Sequence, residues 1–238
     1  MSAIKKIPLV REISDLLQKK PASFPSRAER VALVPLHNVR FLLNIENGKK
    51  EFRLKNLSTT GMALIYDEKE ASLWSSTEGP LTGTLELSDK ATHVVSIEIR
   101  HRGPSTLGCQ FQHTDYFFQR SIRNHLFAEL LGLGLQKINP EILHKEEGQD
   151  SFWFADVHQN GLHFSVGDGQ ITHAEIYFLG HTLMMNLAGQ LRQIETSVDE
   201  ASEIREMAIK LIKSIKDLPE VHREHLCQIL EDHQTPRS

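Results

Sequence analysis

The chain has 238 residues, of which 39% are hydrophobic and 24% are charged, and it contains no run of about 18 apolar residues long enough to span a bilayer. We therefore expect a soluble protein of one or two domains with no membrane span. The N-terminal apolar stretch is broken by Arg11, Glu12 and Asp15, so we expect no signal peptide and a cytoplasmic location. Cys109 and Cys227, the two cysteines, lie far apart, which excludes a disulfide framework and a cysteine-rich zinc site.

Charge is distributed unevenly along the chain. Residues 1–140 carry 19 Lys and Arg against 14 Asp and Glu, whereas residues 141–238 carry 8 against 17. The net charges of the two parts are therefore +5 and −9, which together give the −4 of the whole chain. Such an asymmetry indicates either that the two parts face each other or that the basic part meets an anionic ligand.

The first 25 residues are predicted to form an amphipathic helix and a linker. Apolar residues recur at helical spacing between Pro8 and Lys20, and Pro21 follows the last turn. The segment PASFPS contains two prolines and two serines, cannot continue the helix, and leads into the next part of the chain.

Short β-rich runs separated by turns follow from Val31 to Phe111. Asn47-Gly48 lies between two such runs, and an Asn-Gly pair favours the type I′ turn of a hairpin. Six or so short antiparallel strands at this spacing favour a small barrel or sandwich. Beyond the hairpin, the predicted strands are Met62–Tyr66, Leu81–Leu87, Thr92–Arg102 and Thr106–Gln112.

A single helix is predicted to follow the strands and to close the barrel. Thr114-Asp115 offers an N-cap, apolar residues recur at every fourth position from Phe118 to Leu130, and the helix should end near Gly132. The predicted fold is mainly β with added α structure. Its first domain, at residues 26–135, is a six-stranded antiparallel barrel closed by this helix.

The second domain is expected at residues 150–238 as a small α+β unit. Asn160-Gly161 and Asp168-Gly169 separate three strand-like runs, which predicts a β-meander. A capping box at residues 197–200 begins one predicted helix, and Pro219 begins another. Alternating aromatic residues on the strands are expected to build the core of this unit: Trp153, Phe154, Phe164, Tyr177 and Phe178.

A short polar motif lies at the end of one predicted strand. Asn56 and Ser58 are two residues apart, which puts an amide and a hydroxyl on one side of a loop. Gly61 follows and permits a tight backbone turn. Such a loop either grips a polar ligand or is an Asx or ST turn that only links two strands, and the spacing alone leaves both interpretations open.

In this context Asn56-x-Ser58-x-x-Gly61 resembles the [D/N]xSxxG motif of PilZ domains, the bacterial receptors for the second messenger cyclic di-GMP. The hydrophobic strand MALIY follows the motif, and the later LGCQF resembles the family's closing LGxxF strand. The resemblance covers residues 26–131 and implies a PilZ-like barrel. It also implies a bacterial cyclic di-GMP effector that changes conformation and partner interactions on binding its ligand, and not an enzyme.

The second signature of the family is RxxxR before the first strand, whose guanidinium groups bind the phosphates and stack on guanine. Arg30 directly precedes the predicted strand, but the position four earlier is Ser26, so that this chain reads RxxR from Arg27. The alternative is therefore a degenerate PilZ protein that binds no nucleotide and acts as a protein-interaction adaptor. Otherwise the resemblance implies a cyclic di-GMP site formed by Arg27, Arg30, Asn56, Ser58 and Gly61.

Other kinds of site have less support in the sequence. Two groups among the 13 histidines suggest a metal site: His158, His163, His173 and His181 in the second unit, and His222-x-x-His225 on one helical face. A zinc site needs three or four converging ligands and the helical pair has no identified third, so we expect hydrogen-bonded or solvated histidines and neither a metal nor a cofactor. Cys109 and Cys227 are expected to be small buried residues without a catalytic role. No helix carries a basic stripe, which argues against a nucleic-acid polymer as partner. We expect a protein partner to bind through the acidic C-terminal unit.

Overall fold

The computed structural model describes residues 28–33, 37–45, 48–70, 74, 79–87, 91–139, 150–185, 191–193 and 198–232. The predicted N-terminal helix, its linker and Arg27 lie outside these residues. The described residues up to Phe127 form one compact unit, and those from Ala128 onward form a second. None of the described helices is long and apolar enough to cross a membrane.

The first unit is a closed antiparallel barrel. Its strands, together with the 3-10 helix Glu68–Glu70, are β1 (Val31–Ala32), β2 (Arg40–Ile45), β3 (Gly48–Ser58), β4 (Gly61–Ile65), β5 (Leu81–Glu86), β6 (Thr92–Arg102) and β7 (Thr106–Gln112). Neighbouring strands follow the order β3-β2-β5-β6-β7-β4, and β4 pairs back onto β3. Six strands therefore close on themselves, which removes free sheet edges, while the short β1 pairs with the end of β3. The predicted fold class is confirmed for this barrel and for the α+β unit described below.

Alternation along the strands builds the barrel core. The long strands bury apolar side chains at alternate positions and present most of their intervening polar residues outward. The predicted hairpin is also confirmed, because Ile45 pairs with Gly48. Gly48 has φ +134°, a conformation that a residue with a Cβ rarely adopts. This register makes Gly48 the first residue of β3. The fully buried core residues of the barrel include Phe41, Leu57, Met62, Leu64, Leu85, Ile97 and Leu107.

Two helices, rather than the single predicted one, follow the last barrel strand. The first is α1 (Tyr116–His125), and the Asp115 carboxylate accepts a hydrogen bond of 2.7 Å from the backbone N–H of Phe118, which confirms the predicted N-cap. At Leu126 the backbone leaves the helical conformation, with φ −98° and ψ 18°. The second helix, α2 (Phe127–Gly134), then begins. The prediction of one continuous helix was therefore wrong.

After the break, α2 belongs to the second unit and packs within it. A Cβ atom built on Gly132 would lie 2.1 Å from the carbonyl oxygen of Leu211, so the backbone of α2 approaches that residue too closely for any side chain. The division between the two units at Phe127 and Ala128 thus precedes the boundary segment expected at residues 138–150.

The second unit contains an antiparallel sheet in which consecutive strands are neighbours, as expected for a meander. Its strands are β8 (Gln136–Lys137), β9 (Asp150–Ala155), β10 (Gly161–Gly167), β11 (Gln170–Phe178), β12 (His181–Met185) and β13 (Leu191–Gln193). Asp168-Gly169 forms the predicted tight turn, with φ +50° and +76°. Asn160-Gly161 does not form one. Residues 156–160 form a longer loop there, in which the Asp156 carboxylate accepts hydrogen bonds from two backbone N–H groups.

Two helices, α3 (Val198–Ser214) and α4 (Glu220–Asp232), pack against one face of this sheet and complete its core. Phe154, Phe164 and Phe178 lie in that core as predicted. Trp153 and Tyr177 lie on the opposite face of the sheet instead, because each neighbours a residue of that core on its strand. There Trp153 packs against a second, small hydrophobic cluster of Ile138 and Ala155. That outer face carries a polar cluster. The main buried residues of the two helices are Ile204, Ala208, Leu211, Ile212, Leu226 and Leu230.

Candidate functional site

The polar motif lies where β3 turns into β4. Ser58 pairs with Gly61, and Thr59 and Thr60 form the two-residue turn between them. The Ser58 side chain is 1% exposed, and its hydroxyl donates a hydrogen bond of 3.0 Å to the carbonyl oxygen of Gly61. The hydroxyl oxygen of Ser58 also accepts a hydrogen bond of 3.4 Å from the backbone N–H of Thr60. Ser58 therefore stabilises the turn that carries the motif, as in the ST-turn interpretation.

Gly61 is required for a different reason from the one predicted. The turn residues are Thr59 and Thr60, and Gly61 itself has an ordinary strand conformation. A Cβ atom at this position would lie 2.3 Å from the carbonyl oxygen of Cys109 on β7. The glycine thus permits the close approach of β4 and β7 rather than a tight turn.

Asn56 lies at an irregularity of β3. Leu54 pairs with Leu64 and Asn56 pairs with Ala63, so Lys55 is an additional residue on β3 without an opposite number on β4. Such a bulge re-aims the side chains beside it. The Oδ1 atom of Asn56 is buried and has no hydrogen-bond partner among the described residues. Leaving a buried acceptor unpaired costs free energy, which marks this amide as a place for a ligand donor.

Arg30 lies next to the motif in the sheet. Val31 pairs with Leu57 and Ala32 pairs with Asn56, so the same register extended by one residue places Arg30 opposite Ser58. Val31 and Leu57 point into the core, at 2% and 0% exposure, and alternation then puts Arg30 on the outer face. The structure thus brings Arg30 together with three of the predicted site residues. Arg27, the remaining one, lies outside the described residues.

Two cations beside the motif lack an ion-pair partner among the described residues, whereas some other basic residues of the barrel are paired. Arg30 and Lys55 are exposed, and neither forms an ion pair or a side-chain hydrogen bond with any residue in the described part of the chain. By contrast, Arg40 lies 2.5 Å from a carboxylate oxygen of Glu86, and the ammonium group of Lys50 lies 2.7 Å from that of Glu70. Uncompensated positive charge is therefore present at the motif.

Small residues form a floor beside the motif. Gly61 and Ala63 on β4 alternate with the fully buried Met62 and Leu64, so both face outward. Ala63 pairs with Gly108 on β7, which extends this strip of small residues to a second strand. Both Gly61 and Ala63 are nonetheless buried, Ala63 at 7% exposure.

Sequence reasoning missed Gln110 and Arg100. Gln110 pairs with Gly61 and lies on the outer face between the buried Cys109 and Phe111. Its side-chain oxygen accepts a hydrogen bond of 2.8 Å from Nε of Arg100 on β6. The alternation of buried residues in LGCQF would have placed Gln110 outward, but only the strand pairing brings it beside the motif.

The two cysteines are buried, as predicted. Cys109 is 2% exposed and Cys227 is 5% exposed. Burial raises the pKa of the Cys109 thiol to about 12 and that of Cys227 to about 11. Both groups are therefore protonated near neutral pH, which leaves little of the thiolate that nucleophilic chemistry needs.

Comparison of the sequence with family models gives no match, and comparison with curated proteins gives none either. Among solved structures, the fold has a likeness to one described as the structure of the K. pneumonia MrkH–c-di-GMP complex, with 21% sequence identity and a TM-score of 0.38. The likeness covers 44% of this chain and 51% of that one, so the two correspond over about half of their lengths. A likeness at this level assigns neither a family nor a ligand to the present chain.

Proposed function

We propose that the barrel binds cyclic di-GMP on the outer face formed by the ends of β3, β4 and β7, and that the chain is a non-enzymatic effector of the PilZ type. The observation that carries the proposal is that two neighbouring polar groups at the motif each lack a partner among the described residues. Oδ1 of Asn56 is a buried acceptor without a donor, and Arg30 beside it is an exposed cation without a counter-charge among the described residues.

Cyclic di-GMP supplies what each group lacks. Guanine carries N–H donors on its base-pairing edge, which suit the amide oxygen of Asn56. Its phosphates suit Arg30, since a guanidinium group donates two parallel hydrogen bonds to a phosphate or stacks on a base. Lys55 adds a further positive charge.

The roles of the predicted residues then divide into binding and support. We assign Arg30 and Asn56 to the ligand, together with Arg27 on the strength of the family resemblance. Ser58 and Gly61 support the site, because the hydroxyl of Ser58 already bonds within the turn and Gly61 admits β7. Binding would bring both arginines onto one ligand and thereby alter what the chain presents to a protein partner.

The second candidate is a barrel that has lost nucleotide binding and serves as a protein-interaction adaptor. It is favoured by one observation, the spacing of Arg27 and Arg30, which is one residue shorter than the family's RxxxR. A single lost phosphate contact would weaken binding about 10- to 150-fold without altering the barrel.

Isothermal titration calorimetry of the full chain with micromolar cyclic di-GMP tests the proposal. We expect saturable heat for the native chain and an affinity about 10- to 150-fold lower for Arg30→Ala. Lys49→Ala is the matched control, because Lys49 is also exposed and unpaired among the described residues. It lies nine positions before Ser58 on β3, which is about 30 Å along an extended strand, so its loss should not affect binding at the motif.

The two candidate functions predict different results from this titration. If the native chain releases no heat while circular dichroism shows it to be folded, the barrel is not a cyclic di-GMP receptor and the adaptor function takes its place. If Arg30→Ala and Lys49→Ala bind as tightly as the native chain, binding occurs elsewhere and the assigned site is wrong.

A further inference from the structure

A cluster of metal-ligating side chains lies on the outer face of the sheet in the second unit. His163 on β10 pairs directly with Glu175 on β11, and His173 lies two residues before Glu175 on the same strand. Residues two apart on a strand share a face, so alternation places all three together on the side away from the helices. One potential ligand atom from each residue lies within 4.8 Å of those of the other two.

We propose that His163, His173 and Glu175 bind a divalent transition-metal ion, with Zn²⁺ as the first candidate. Two imidazole nitrogens and one carboxylate oxygen are ligands that Zn²⁺ accepts, and three protein ligands leave one coordination position open. Ligand atoms that share a tetrahedral Zn²⁺ are about 3.4 Å apart, given bonds of about 2.1 Å. The present separations, of up to 4.8 Å, would therefore have to shorten when the ion binds.

Glu175 is already oriented as a ligand. Its Oε1 atom lies 2.9 Å from Nε2 of His173, and its other oxygen, Oε2, accepts a hydrogen bond from the Tyr177 hydroxyl. The ion would therefore take the place of the proton that His173 and Oε1 share, while Tyr177 continues to hold Oε2. A ligating carboxylate that is hydrogen-bonded in this way is typical of metal sites.

The neighbouring side chains support the same assignment. Trp153 on β9 pairs with His163, and the two ring centroids are 4.1 Å apart, so the indole fixes the plane of this imidazole. Glu175 is only 3% exposed, and a buried carboxylate needs a positive charge or strong donors nearby.

The cluster is accessible to an ion and has space beside it. The His173 side chain is 31% exposed, which opens a route from solvent. A cavity of about 10 Å³, lined in part by Trp153, His163 and Tyr177, is large enough for about one water molecule. Such a water could occupy the open coordination position.

The test uses the full chain without a histidine tag, stripped with a chelator and titrated with Co²⁺ as a visible-light probe and with Zn²⁺ as competitor. We expect one equivalent of Co²⁺ to bind with the intense absorption of a four-coordinate site, and Zn²⁺ to abolish that absorption. His173→Ala and Glu175→Gln should lose binding at metal concentrations that saturate the native chain. Tyr177→Phe should bind about 10- to 100-fold more weakly, because it removes only the group that holds the carboxylate.

His158→Ala is the matched control, since His158 is an exposed histidine on the loop of the same unit. It should bind Co²⁺ as the native chain does. Glu175→Gln keeps the size of the buried side chain, and His173→Ala alters a partly exposed one, so circular dichroism should show both variants folded. The proposal is overturned if the folded native chain binds no Co²⁺ or Zn²⁺, or if His173→Ala and Glu175→Gln bind as tightly as His158→Ala.

Discussion

The barrel and the second unit are both built on antiparallel sheets with one buried face, yet their outer faces carry opposite chemistry. At the barrel motif, Arg30 and Lys55 are unpaired cations within the described residues, and Asn56 is an unpaired acceptor. On the sheet of the second unit, a buried carboxylate, Glu175, receives hydrogen bonds from its neighbours. Strand alternation thus places polar side chains on the outer face of each sheet. The charge and hydrogen-bonding character of those side chains then determines whether the outer face favours an anion or a cation.

The same contrast follows the charge of the chain. The part that contains the barrel has a net charge of +5 and the remainder has −9. We accordingly propose an anionic ligand for the barrel and a cation for the second unit, and the two proposals can be tested independently.

The largest expected effects concern the glycines at which each unit packs most closely. Gly132→Ala places a Cβ 2.1 Å from the Leu211 carbonyl oxygen in the second unit, and Gly61→Ala places one 2.3 Å from that of Cys109 in the barrel. Each substitution should lower the free energy of unfolding by about 1–3 kcal/mol, because backbone on both sides must move apart. Urea denaturation of the two variants measures the loss.

Gly134→Ala is the control for these substitutions, because nothing lies within 4 Å of a Cβ at that position of α2. It should leave stability unchanged or raise it by up to about 1 kcal/mol, since alanine favours the helix. A Gly61→Ala barrel as stable as the native one would contradict the close approach of β4 and β7.

The next effect concerns the chemistry of Arg30. Arg30→Lys keeps the positive charge but loses the planar face and the paired N–H groups of the guanidinium. We expect cyclic di-GMP to bind about tenfold more weakly, a smaller loss than for Arg30→Ala, as measured by calorimetry. Equal affinity for Arg30→Lys and the native chain would mean that charge alone attracts the ligand.

A stabilising substitution is expected at the turn between β11 and β12. Leu179 has φ +53° and is followed by Gly180 with φ +81°, so a leucine occupies the left-handed position of a tight hairpin turn. Leu179→Asn supplies a residue that tolerates this conformation and should stabilise the second unit by about 1 kcal/mol. Thermal unfolding measures the gain, and a lower melting temperature would show that the half-exposed leucine side chain matters more than its backbone.

The smallest effect is a pH dependence at His222 in the second unit. Its ring packs against Phe152 and Phe164, with centroids 5.2 and 5.3 Å away. Burial, followed by the charge of His225, lowers the pKa of His222 below its ordinary value of 6.5. The neutral form is therefore favoured in the folded state, and stability should decrease as the pH falls through the ordinary value.

His222→Phe should reduce this acid sensitivity. Between about pH 7.5 and about pH 5.5, the melting temperature of this variant should fall by less than that of the native chain. The melting temperature of His158→Ala, a variant at an exposed site, should fall by as much as that of the native chain. An unchanged pH profile in His222→Phe would place the sensitivity elsewhere.

The strands were predictable because each carries its own alternating pattern, as in the LGCQF strand where Leu107, Cys109 and Phe111 are buried. The break at Leu126 was not, because its neighbours at every fourth position read as one helix. The break coincides with the division between the units: α1 belongs to the barrel unit, whereas Gly132 of α2 packs against Leu211 within the second unit. The local pattern of apolar residues thus predicts which helices and strands form, whereas the residues at which they end depend on contacts between residues distant in sequence.

The candidate sites show the same limit. Asn56, Ser58 and Gly61 form a motif within one short segment and were found from the sequence. Gln110 reaches the motif only through the pairing of β4 with β7. His163 and Glu175 are likewise adjacent only because β10 and β11 pair in one particular register.

The most direct test of the central claim is to map cyclic di-GMP onto the full chain by two-dimensional ¹⁵N–¹H nuclear magnetic resonance. We predict that the ligand shifts the side-chain amide of Asn56 and the backbone amides of Arg30 and residues 58–61, and leaves the amides of β10 and β11 in place. Absence of shifts at saturating ligand, or shifts confined to the second unit, would contradict the assignment of the barrel as the receptor.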